Sequence, residues 1–485
     1  MTNQFVSILS NVTYTENKMV TNKSSLNPHL DLFYRVGNRS KDATVKSNIR
    51  AMFLSAATEN LDLAVKIMGW SRSVRNGAGV REHLRSVLGG ITHNEGIDWS
   101  WFGREGYWKD IFHFPPSYYS NLDGVLLVIK QALAQEDNLL LKYLPRAKKN
   151  KSHKNNQWVK VLREALHLSP KEYRKVCSSF VTPEVLMCRN EWKAIEYSKV
   201  PSISMHRNLK AFYKHDEERI KQFIADVKAG KKDETGKTVK MNVATLYPHQ
   251  IIMPFASHSA YEPMRVSQDV KDVAQAQWSQ LPTKFKSDKK IFVVADTSGS
   301  MNGKPICISK ALAIYMAERL TGAFHNFYAI FSARPAFFKF RDEDSIYDKV
   351  NAMKNEDATN TNLEALFSMI LHKATAEKIP VEDMPSMIMI ISDMQYDQSV
   401  RNPNYTALEM IRAQYSKAGY DMPVLVFWNV RDSHGIPAKA TDKNIVLFSG
   451  ASPNSINQAI TGELDPMSAM LRVVDKDEFY WLLKN

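Results

Sequence analysis

The feature that most constrains the fold is a short apolar segment that ends on oxygen-bearing side chains. Ile291–Ala295 is a run of apolar residues, mostly β-branched or aromatic, which is typical of a central strand of a parallel sheet. Asp296, Ser298 and Ser300 follow it at alternate positions. Ligands of open α/β sheets bind at the carboxyl ends of the strands. The Asp-x-Ser-x-Ser spacing therefore predicts a cup of hard oxygen ligands, which suits Mg²⁺ or Mn²⁺ better than a soft transition metal.

Two later residues complete the predicted metal site. Thr361 lies in a loop just before an expected helix, and Asp393 follows the apolar strand Met387–Ser392. The short motif alone also opens turns and caps helices, but the strand before it, the helix after it and the second strand-end aspartate favour a metal. Together, the five residues resemble the metal-ion-dependent adhesion site of von Willebrand factor A domains. Their neutral hydroxyls leave one cation with residual positive charge, which favours binding of an outside carboxylate or phosphate over two-metal hydrolysis.

Composition bounds the class of protein. With 485 residues, 44% apolar and 10% aromatic, the chain is long enough for two or more domains with full cores. No run approaches the ~18 apolar residues of a membrane span, and residues 1–25 lack a signal-peptide pattern. The 3 cysteines have no paired metal spacing and fit a reducing compartment. We therefore expect a globular, cytoplasmic protein that does not act at a membrane.

The charge is unevenly spread along the chain. Residues 1–285 hold 42 lysines and arginines against 27 acids, whereas residues 286–485 hold 22 against 24. The first region therefore has the charge of a protein that binds a polyanion, and the second does not. The alternative for the first region is a solvated surface with excess lysine.

The pattern of apolar residues changes near residue 290. Before it, helical faces such as Leu122, Val125, Leu126, Ile129 and Leu133 are separated by short turns, which predicts stacked helical pairs of the HEAT-like kind. After it, expected strands alternate with expected helices, which predicts a mostly parallel, doubly wound sheet. The expected strands are Ile291–Ala295, Phe327–Phe331, Met387–Ser392, Val424–Trp428 and Ile445–Phe448, with an antiparallel edge strand at Phe337–Phe340.

The predicted architecture is thus multi-domain. An all-α, HEAT-like helical repeat domain covers residues 1–285, with a connecting segment near 255–290. An α/β domain of the von Willebrand factor A type, which is Rossmann-like and doubly wound, covers residues 286–485. This order of domains resembles the TROVE-domain proteins, the family of the Ro 60-kDa autoantigen. Local segments such as Arg72–Arg81 and Tyr107–Asp110 are similar to an uncharacterised plant and phage branch of that superfamily.

The resemblance implies an RNA-binding function. Ro proteins form rings that accept single-stranded ends of misfolded RNA in the central hole and bind small structured RNAs on the outside. We therefore expect RNA, single-stranded or small and structured, as the partner of this chain. The helical region resembles that of Ro proteins in architecture.

A basic loop provides candidate RNA contacts. Residues 142–154 hold six lysines and arginines and no acid, and Pro145 with the polar run predicts a loop. Aromatic residues flank it, so phosphate neutralisation and base stacking are both available. The alternative is a solvated loop. The residues predicted to contact RNA here are Lys142, Tyr143, Arg146, Lys148, Lys149, Lys151, His153, Lys154 and Trp158.

A glycine-rich turn provides a second candidate. Arg72, Arg75 and Arg81 surround Asn76–Gly79, whose backbone N–H groups precede an expected helix and could bind an anion. The alternative is an ordinary turn between two helices.

A catalytic function is not expected. His206, His215 and His249 are not accompanied by a nucleophile motif, a phosphate-binding glycine loop or a cofactor motif. The sequence therefore favours a non-catalytic RNA-binding protein that serves as a scaffold or RNA chaperone. The alternative is a protein-interaction module in which the metal ion binds an acidic residue of a partner protein.

Overall fold

The computed structural model describes residues 10–40, 42–91, 96–150, 152–256, 264–283, 285, 287, 289–331, 335–353, 361–401, 403–433 and 435–483. The chain divides into two compact units. The first, which we call the mixed unit, comprises Met1–Ser40, Ser73–Val80 and Glu196–Asp475. The second, the helical unit, comprises Lys41–Arg72, Arg81–Ile195 and Lys476–Asn485.

The helical unit is built from α-helices joined by short turns, in agreement with the helical pattern of the sequence. Local sequence sets the helix starts: Ser169 and Glu172 form a reciprocal capping box, and Pro170 occupies the first turn. The α-helices are Ala43–Glu59, Leu61–Arg72, Arg81–Ile91, Trp99–Arg104, Trp108–Ile111, Leu122–Ala134, Asn138–Tyr143, Lys154–Ala165, Pro170–Ser178 and Pro183–Cys188. Short 3-10 helices span Pro116–Tyr118, Trp192–Ala194 and Asp477–Phe479.

Tryptophans form much of the core of the helical unit. Trp70, Trp108 and Trp158 are all buried. The indole N–H of Trp108 donates to the Asp137 carboxylate at 3.1 Å, and that of Trp158 donates to a backbone carbonyl at 2.7 Å. Buried indoles usually find such partners, and each ring then contributes a large apolar area to the core. The helical unit therefore has a hydrophobic core of its own.

The mixed unit begins with a hairpin and contains helices that precede the sheet. Strands β1 (Val12–Tyr14) and β2 (Val20–Asn22) pair in antiparallel register. The preceding helices attach to the α/β part: the Trp278 N–H donates to Glu318 at 2.8 Å, and the Tyr315 hydroxyl donates to the Pro282 carbonyl at 2.6 Å. The predicted domain boundary at residues 285–286 therefore falls inside this unit. The helices are Pro28–Val36, Ser202–His215, Glu217–Lys228, Pro248–Ile252 and Gln268–Ser279, with a 3-10 helix at Tyr197–Lys199.

A six-stranded sheet forms the centre of the mixed unit. Its strands are β3 (Ile291–Asp296), β4 (Phe327–Phe331), β5 (Ala336–Lys339), β6 (Met387–Ser392), β7 (Val424–Asn429) and β8 (Ile445–Ser449). They lie in the order β5-β4-β3-β6-β7-β8, and the only antiparallel pair among them is β4 with β5. The predictions of a mostly parallel sheet and of an antiparallel edge strand are confirmed. The assignment to the von Willebrand factor A type stays a prediction.

Helices alternate with these strands along the chain. They are Lys304–Ala317, Ile346–Ala352, Leu363–Ala376, Ala407–Ala418, Ile456–Ala459 and Pro466–Val474, with 3-10 helices at Gly299–Met301, Gly322–Phe324 and Val381–Asp383. Gly419 ends one of them with φ of 74°, a left-handed conformation that favours glycine. Within the described residues, no helix combines the length and the apolar character needed to span a membrane.

The strand order creates a switch point at the centre of the sheet. From β3 the chain proceeds outward through β4 and β5, and it then returns to place β6 on the other side of β3. Every residue of β3 and of β6 is buried, as expected for central parallel strands. Ligands of open α/β sheets bind in the crevice outside the carboxyl ends of the strands at such a point. A ligand site is therefore expected at the ends of β3 and β6.

Candidate functional site

Asp296, the last residue of β3, is buried and held by hydrogen bonds from Ser298 and Ser392. Its Oδ1 accepts from the backbone N–H of Ser298 at 2.9 Å. Its Oδ2 accepts from the hydroxyl of Ser392, the last residue of β6, at 2.6 Å. Each carboxylate oxygen retains a further acceptor position. Asp296 is therefore fixed in orientation and can still accept from a metal-bound water or bind a metal directly.

The two serines of the motif lie beside the second acid. The hydroxyl oxygens of Ser298 and Ser300 are 3.0 Å apart. The Ser300 hydroxyl bonds the Asp393 carboxylate, whose Oδ1 also accepts from the backbone N–H of Gln395 at 3.1 Å. The ends of β3 and β6 therefore bring Asp296, Ser298, Ser300 and Asp393 together, as the sequence predicts.

Thr361 reaches the same edge through the backbone. It is 1% exposed, and its carbonyl accepts from the N–H of Asp397 at 3.1 Å, in the loop that follows Asp393. Asn362 caps the next helix by accepting from the Ala365 N–H at 2.8 Å, which ends the loop directly after Thr361. Residues 355–360 of the predicted loop, which runs from 355 to 362, lie outside the described residues. Thr361 is therefore tied to the loop of the second acid.

The site has a surplus of negative charge. Burial, and next the charge of Asp393, raise the pKa of Asp296 to about 7. Burial also raises the pKa of Asp393, although the Gln395 N–H and Arg431 act in the opposite direction. A cation between the two carboxylates would favour their charged forms. The predicted ligands that these contacts bring together are two carboxylates and the hydroxyls of Ser298 and Ser300. This hard oxygen set fits Mg²⁺ or Mn²⁺ with some coordinated waters.

Arg431 also belongs to this site, and the sequence analysis missed it. Its Nη1 donates to the Ser300 carbonyl at 2.8 Å and lies 3.4 Å from Asp393 Oδ2. Its side chain is 42% exposed, whereas Asp393 is fully buried. Arg431 comes two residues after the end of β7, the strand next to β6. The strand-end rule that identified Asp296 and Asp393 would include it only if extended to the second residue past a strand end.

The N-terminal hairpin holds the loop that follows Asp393. The Thr15 hydroxyl donates to the Tyr396 carbonyl at 2.7 Å, and the Glu16 N–H donates to the Gln395 side chain at 2.6 Å. The Asn17 side chain donates to the Gln395 carbonyl at 2.8 Å. Residues before β2 therefore support one side of the candidate metal site.

In the helical unit, the basic loop is folded against the helix Lys154–Ala165. Asn156 accepts from the Lys148 N–H at 2.8 Å and donates to the Lys148 and Asn150 carbonyls at 3.1 and 2.7 Å. Arg146, Lys148 and Lys149 are exposed. Lys151 lies outside the described residues. The exposed part of this loop therefore presents its cations on a fixed backbone.

Other predicted residues of this loop have partners within the protein. Lys142 is half-buried, and the Lys109 ammonium lies 4.5 Å from the centre of the Tyr143 ring. His153 caps the next helix by accepting from the Asn155 N–H at 3.0 Å, and Lys154 donates to the His113 carbonyl. These contacts give structural roles to residues that the sequence analysis assigned to RNA.

Two predicted RNA contacts require correction. Trp158 is fully buried and faces the core with Leu162, four residues later, so its ring cannot stack on a base in this fold. Arg72 is buried as well: its Nε lies 2.5 Å from the Asp110 carboxylate, and its guanidinium covers the Tyr107 ring at 3.6 Å. Both residues stabilise the helical unit rather than forming an RNA-binding surface.

The glycine-rich turn is held within the mixed unit. The Val74 and Asn76 carbonyls accept from the side chains of Asn454 and Ser455 at 3.3 and 2.7 Å. Gly79 has φ of 69°, and a Cβ there would lie 1.8 Å from the Tyr247 hydroxyl. Tight packing explains the glycine without an anion. Arg75 is exposed on this turn, and Arg81 is half-buried at the start of the helix Arg81–Ile91 of the helical unit.

The three histidines have separate environments. His206 Nε2 is 2.5 Å from the Gln277 side-chain oxygen. Burial lowers the pKa of His249, and the positive charges of Lys304 and Arg39 act in the same direction. His215 is exposed at the end of the helix Ser202–His215.

Two family models match consecutive parts of the chain. Residues 290–476 match a family described as a domain of unknown function, DUF7788. Residues 113–291 match a second family described in the same way, DUF2828. Neither description assigns an activity.

Two whole-chain similarities accompany these matches. The chain is 24% identical over 519 residues to an uncharacterised protein of Acanthamoeba polyphaga mimivirus, covering 96% of this chain and 88% of that protein. A solved structure, the Ro (RSR) protein of Deinococcus radiodurans, matches with a TM-score of 0.42 and 11% identity, over 93% of this chain and 100% of that chain. This structural likeness is too low to establish a shared fold.

Proposed function

We propose that this protein is a non-catalytic RNA-binding protein of the Ro type, which binds single-stranded, misfolded or small non-coding RNA as a scaffold or RNA chaperone. The observation that carries the proposal is the concentration of positive charge in one segment of the helical unit. Residues 142–175 contain 11 lysines and arginines against 2 glutamates. Such a density supplies the sequence-independent attraction to phosphate that dominates nucleic-acid affinity.

The fixed backbone of the basic loop supports binding over simple solvation. Asn156 bonds the loop at both Lys148 and Asn150, so Lys148 and Lys149 extend from a defined surface. Binding to this loop costs less conformational entropy than binding to a loop that has to become ordered first. Because Trp158 is buried, the proposed contacts at this loop are mainly to phosphates.

Filter binding across a salt series tests this proposal. The probes are a single-stranded RNA of about 20 nucleotides and a perfect duplex of the same sequence. Each lost phosphate contact reduces the slope of log affinity against log salt by ~0.7 for single strands. Replacing both Lys148 and Lys149 with alanine should therefore reduce the slope by about 1.4 and weaken binding most at low salt.

The matched control is the double replacement of Lys232 and Lys237, which are exposed lysines of the mixed unit, with alanine. This control changes the net charge equally and should leave the slope unchanged. If the Lys148 and Lys149 variant binds RNA like the wild type, the loop is only solvated surface. Equal affinity for the duplex would remove the preference for single strands.

The second part of the proposal is a Mg²⁺ or Mn²⁺ site at the carboxyl edge of the sheet. Ser298 and Ser300 would bind the ion directly, and Asp296, Thr361 and Asp393 would bind it directly or through water. A bound divalent ion supplies a position at which an outside oxygen anion can bind. The surplus of buried negative charge at Asp296 and Asp393 supports this assignment.

Calorimetry with Mg²⁺ tests the metal site. Asp296→Asn keeps the shape of the side chain and should weaken Mg²⁺ binding by at least tenfold, because it removes a buried charge from the ligand set. The control is Asp421→Asn, which changes an exposed carboxylate of the same unit. Unchanged Mg²⁺ affinity in the Asp296 variant would show that these residues do not form a metal site.

A second candidate function rests on Arg431. Its half-exposed guanidinium lies beside Asp393 and Ser300, so an ion at the site and Arg431 could together bind a carboxylate from a partner protein. RNA that copurifies with the protein and is removed by RNase would favour the first function. A protein that binds only with Mg²⁺, and whose binding RNase leaves intact, would favour the second.

The proposal also excludes an enzymatic activity. Asp296 and Asp393 are accompanied by the neutral hydroxyls of Ser298 and Ser300, whereas two-metal hydrolysis needs several acids to hold two ions. Metal-dependent cleavage of RNA by the pure protein, abolished by Asp393→Asn, would overturn this part of the proposal.

A further inference from the structure

A pocket of about 430 Å³ lies in the most basic segment of the helical unit. The loop contributes Arg146, the helix Lys154–Ala165 contributes Val159 and Arg163, and the helix Pro170–Ser178 contributes further lining residues. Pockets that bind small ligands have volumes of roughly 300–1,000 Å³. The size therefore suits one compact ligand group rather than a long chain.

The charge of the pocket selects an anion. Three of its lining residues are arginines, Arg146, Arg163 and Arg174, and none is an acid. Arg146 donates to the Cys177 carbonyl at 2.7 Å, and Arg163 donates to the Leu168 carbonyl at 3.3 Å. These bonds to neutral carbonyls orient the guanidinium groups and leave their positive charge uncompensated. Several N–H donors of each group remain for a ligand.

The rest of the lining selects a ligand that is also flat or apolar. Val159, Pro170 and Tyr173 contribute apolar atoms to the wall. Tyr173 is buried, and its hydroxyl donates to the Pro145 carbonyl at 2.9 Å, which fixes the ring between the loop and the helix. Arginine planes stack on nucleobases as well as pairing with phosphates. A phosphate attached to a nucleoside satisfies both halves of this lining.

We propose that this pocket binds one nucleoside monophosphate unit of an RNA strand, with the arginines on the phosphate and the apolar wall against the base. The inference rests on the proposed RNA binding and specifies one subsite of it. The surrounding excess of 11 basic over 2 acidic residues in 142–175 favours a unit of a polyanion over an isolated metabolite.

The first experiment compares three probes by calorimetry with the full chain: adenosine 5′-monophosphate, adenosine and inorganic phosphate. The monophosphate should bind more tightly than either of the other two, because only it contacts both the arginines and the apolar wall. Equal binding of the monophosphate and inorganic phosphate would overturn the inference, since the pocket would then recognise any small anion.

Two variants separate charge from shape. Replacing Arg163 and Arg174 with glutamine should weaken binding of the monophosphate by about tenfold or more, because two charged hydrogen-bond donors are lost. Val159→Trp keeps every arginine and fills the cavity, so it should also abolish binding. The control replaces Arg189 and Lys193, exposed residues of the same unit outside the pocket, with glutamine. Loss of binding in the control alone would place the nucleotide elsewhere and overturn the inference.

RNA binding by the same proteins distinguishes the two proposals. If the wild type binds single-stranded RNA but not the monophosphate, the pocket inference fails and the proposed function stands. If it binds the monophosphate through Arg163 and Arg174 but does not bind RNA, the pocket is a nucleotide site and the proposed function fails. Far-ultraviolet circular dichroism confirms that each variant is folded before either result is used.

Discussion

Each unit buries aspartates, but the two units treat the charge differently. In the helical unit, Asp110 is fully buried between Arg72 and Arg85, with N–O distances of 2.5 and 2.6 Å. In the mixed unit, Asp296 and Asp393 are equally buried, but their partners are hydroxyls, backbone N–H groups and one arginine at 3.4 Å. The first carboxylate is neutralised within the protein. The second pair is not.

This difference distinguishes a structural charge from a functional one. A buried ion pair with complete hydrogen bonding is a packing element, whereas a buried charge without a full counter-charge costs free energy that a ligand can recover. Perturbed acids in a crevice are accordingly candidates for a functional site. By this criterion, the carboxyl edge of the sheet is the better candidate for a functional site, and the Arg72–Asp110–Arg85 cluster is a structural one.

The largest effect should come from breaking the neutralised cluster. Asp110→Ala leaves Arg72 buried without a counter-charge, so the free energy of unfolding should fall by about 3–5 kcal/mol. Chemical denaturation measures this change. The double variant Arg72→Met, Asp110→Leu removes the Arg72–Asp110 pair, leaves only the more exposed Arg85 charged, and should recover part of the loss. A loss below 1 kcal/mol for Asp110→Ala would show that this cluster is not required for stability.

Lys310 provides a test in the opposite direction, because removal of its buried charge should stabilise the protein. Burial lowers the pKa of Lys310, which is 4% exposed, to about 8. The folded protein therefore binds this proton less tightly than the unfolded chain, in which a lysine has a pKa of about 10.4. Stability at pH 7 is reduced by this group, and it should increase as the pH rises from about 8 towards 10.4.

Lys310→Met should remove this pH dependence and raise the free energy of unfolding at pH 7 by about 1–3 kcal/mol. Denaturation at pH 7 and pH 9.5 provides the measurement. The control is Lys417→Met, which replaces an exposed lysine of the same unit. If Lys310→Met instead lowers the free energy of unfolding, the buried ammonium makes a stabilising interaction that the substitution removes.

Trp158 provides a test with a smaller expected effect, which asks whether this buried ring stabilises the core or stacks on RNA bases. Trp158→Phe keeps an apolar ring but removes the N–H that donates to the Phe114 carbonyl, so the free energy of unfolding should fall by about 1–2 kcal/mol. Affinity for single-stranded RNA, measured well below the unfolding temperature, should not change. A loss of RNA affinity with unchanged stability would restore Trp158 as a base-stacking residue.

The smallest effect concerns Arg431. Its half-exposed pair with Asp393 is worth about 0.2–1 kcal/mol, so Arg431→Gln should raise Mg²⁺ affinity by no more than about fivefold. If Arg431 instead helps to bind an outside anion, the same variant should weaken carboxylate binding to the Mg²⁺-loaded protein. Calorimetry with Mg²⁺, and then with acetate at saturating Mg²⁺, measures both. The expected rise comes from removing the repulsion between the Arg431 guanidinium and Mg²⁺. A lower Mg²⁺ affinity in the variant would contradict that repulsion.

Local rules were sufficient to predict much of the candidate metal site. The apolar runs that end at Asp296 and Asp393 identify central strands, and parallel strands place their carboxyl ends on the same edge. Arg431 follows a third such strand but was missed because it is two residues past the strand end. The order of β4, β3 and β6, which creates the switch point, depends on long-range pairing that no local pattern contains.

The helical unit was harder to predict because its charges depend on distant partners. Arg72 and Asp110 are 38 positions apart, so nothing in the segment around Arg72 indicates a buried ion pair. For Trp158, the sequence did contain a signal: Leu162 follows four positions later, on the same helical face, and both are buried. The lysines near Trp158 instead favoured the prediction that it lies on the exposed face of that helix.

The N-terminal hairpin holds the loop that follows Asp393, and this has a consequence for folding during translation. Thr15 and Tyr396, whose side chain and carbonyl form one of these bonds, are 381 positions apart. Since the chain emerges from the ribosome from its N-terminus, Thr15 must wait for the translation of most of the remaining chain before it meets this partner. Contacts of such high sequence separation form late in folding. Metal binding would therefore report that translation has passed β6 and the loop that follows it.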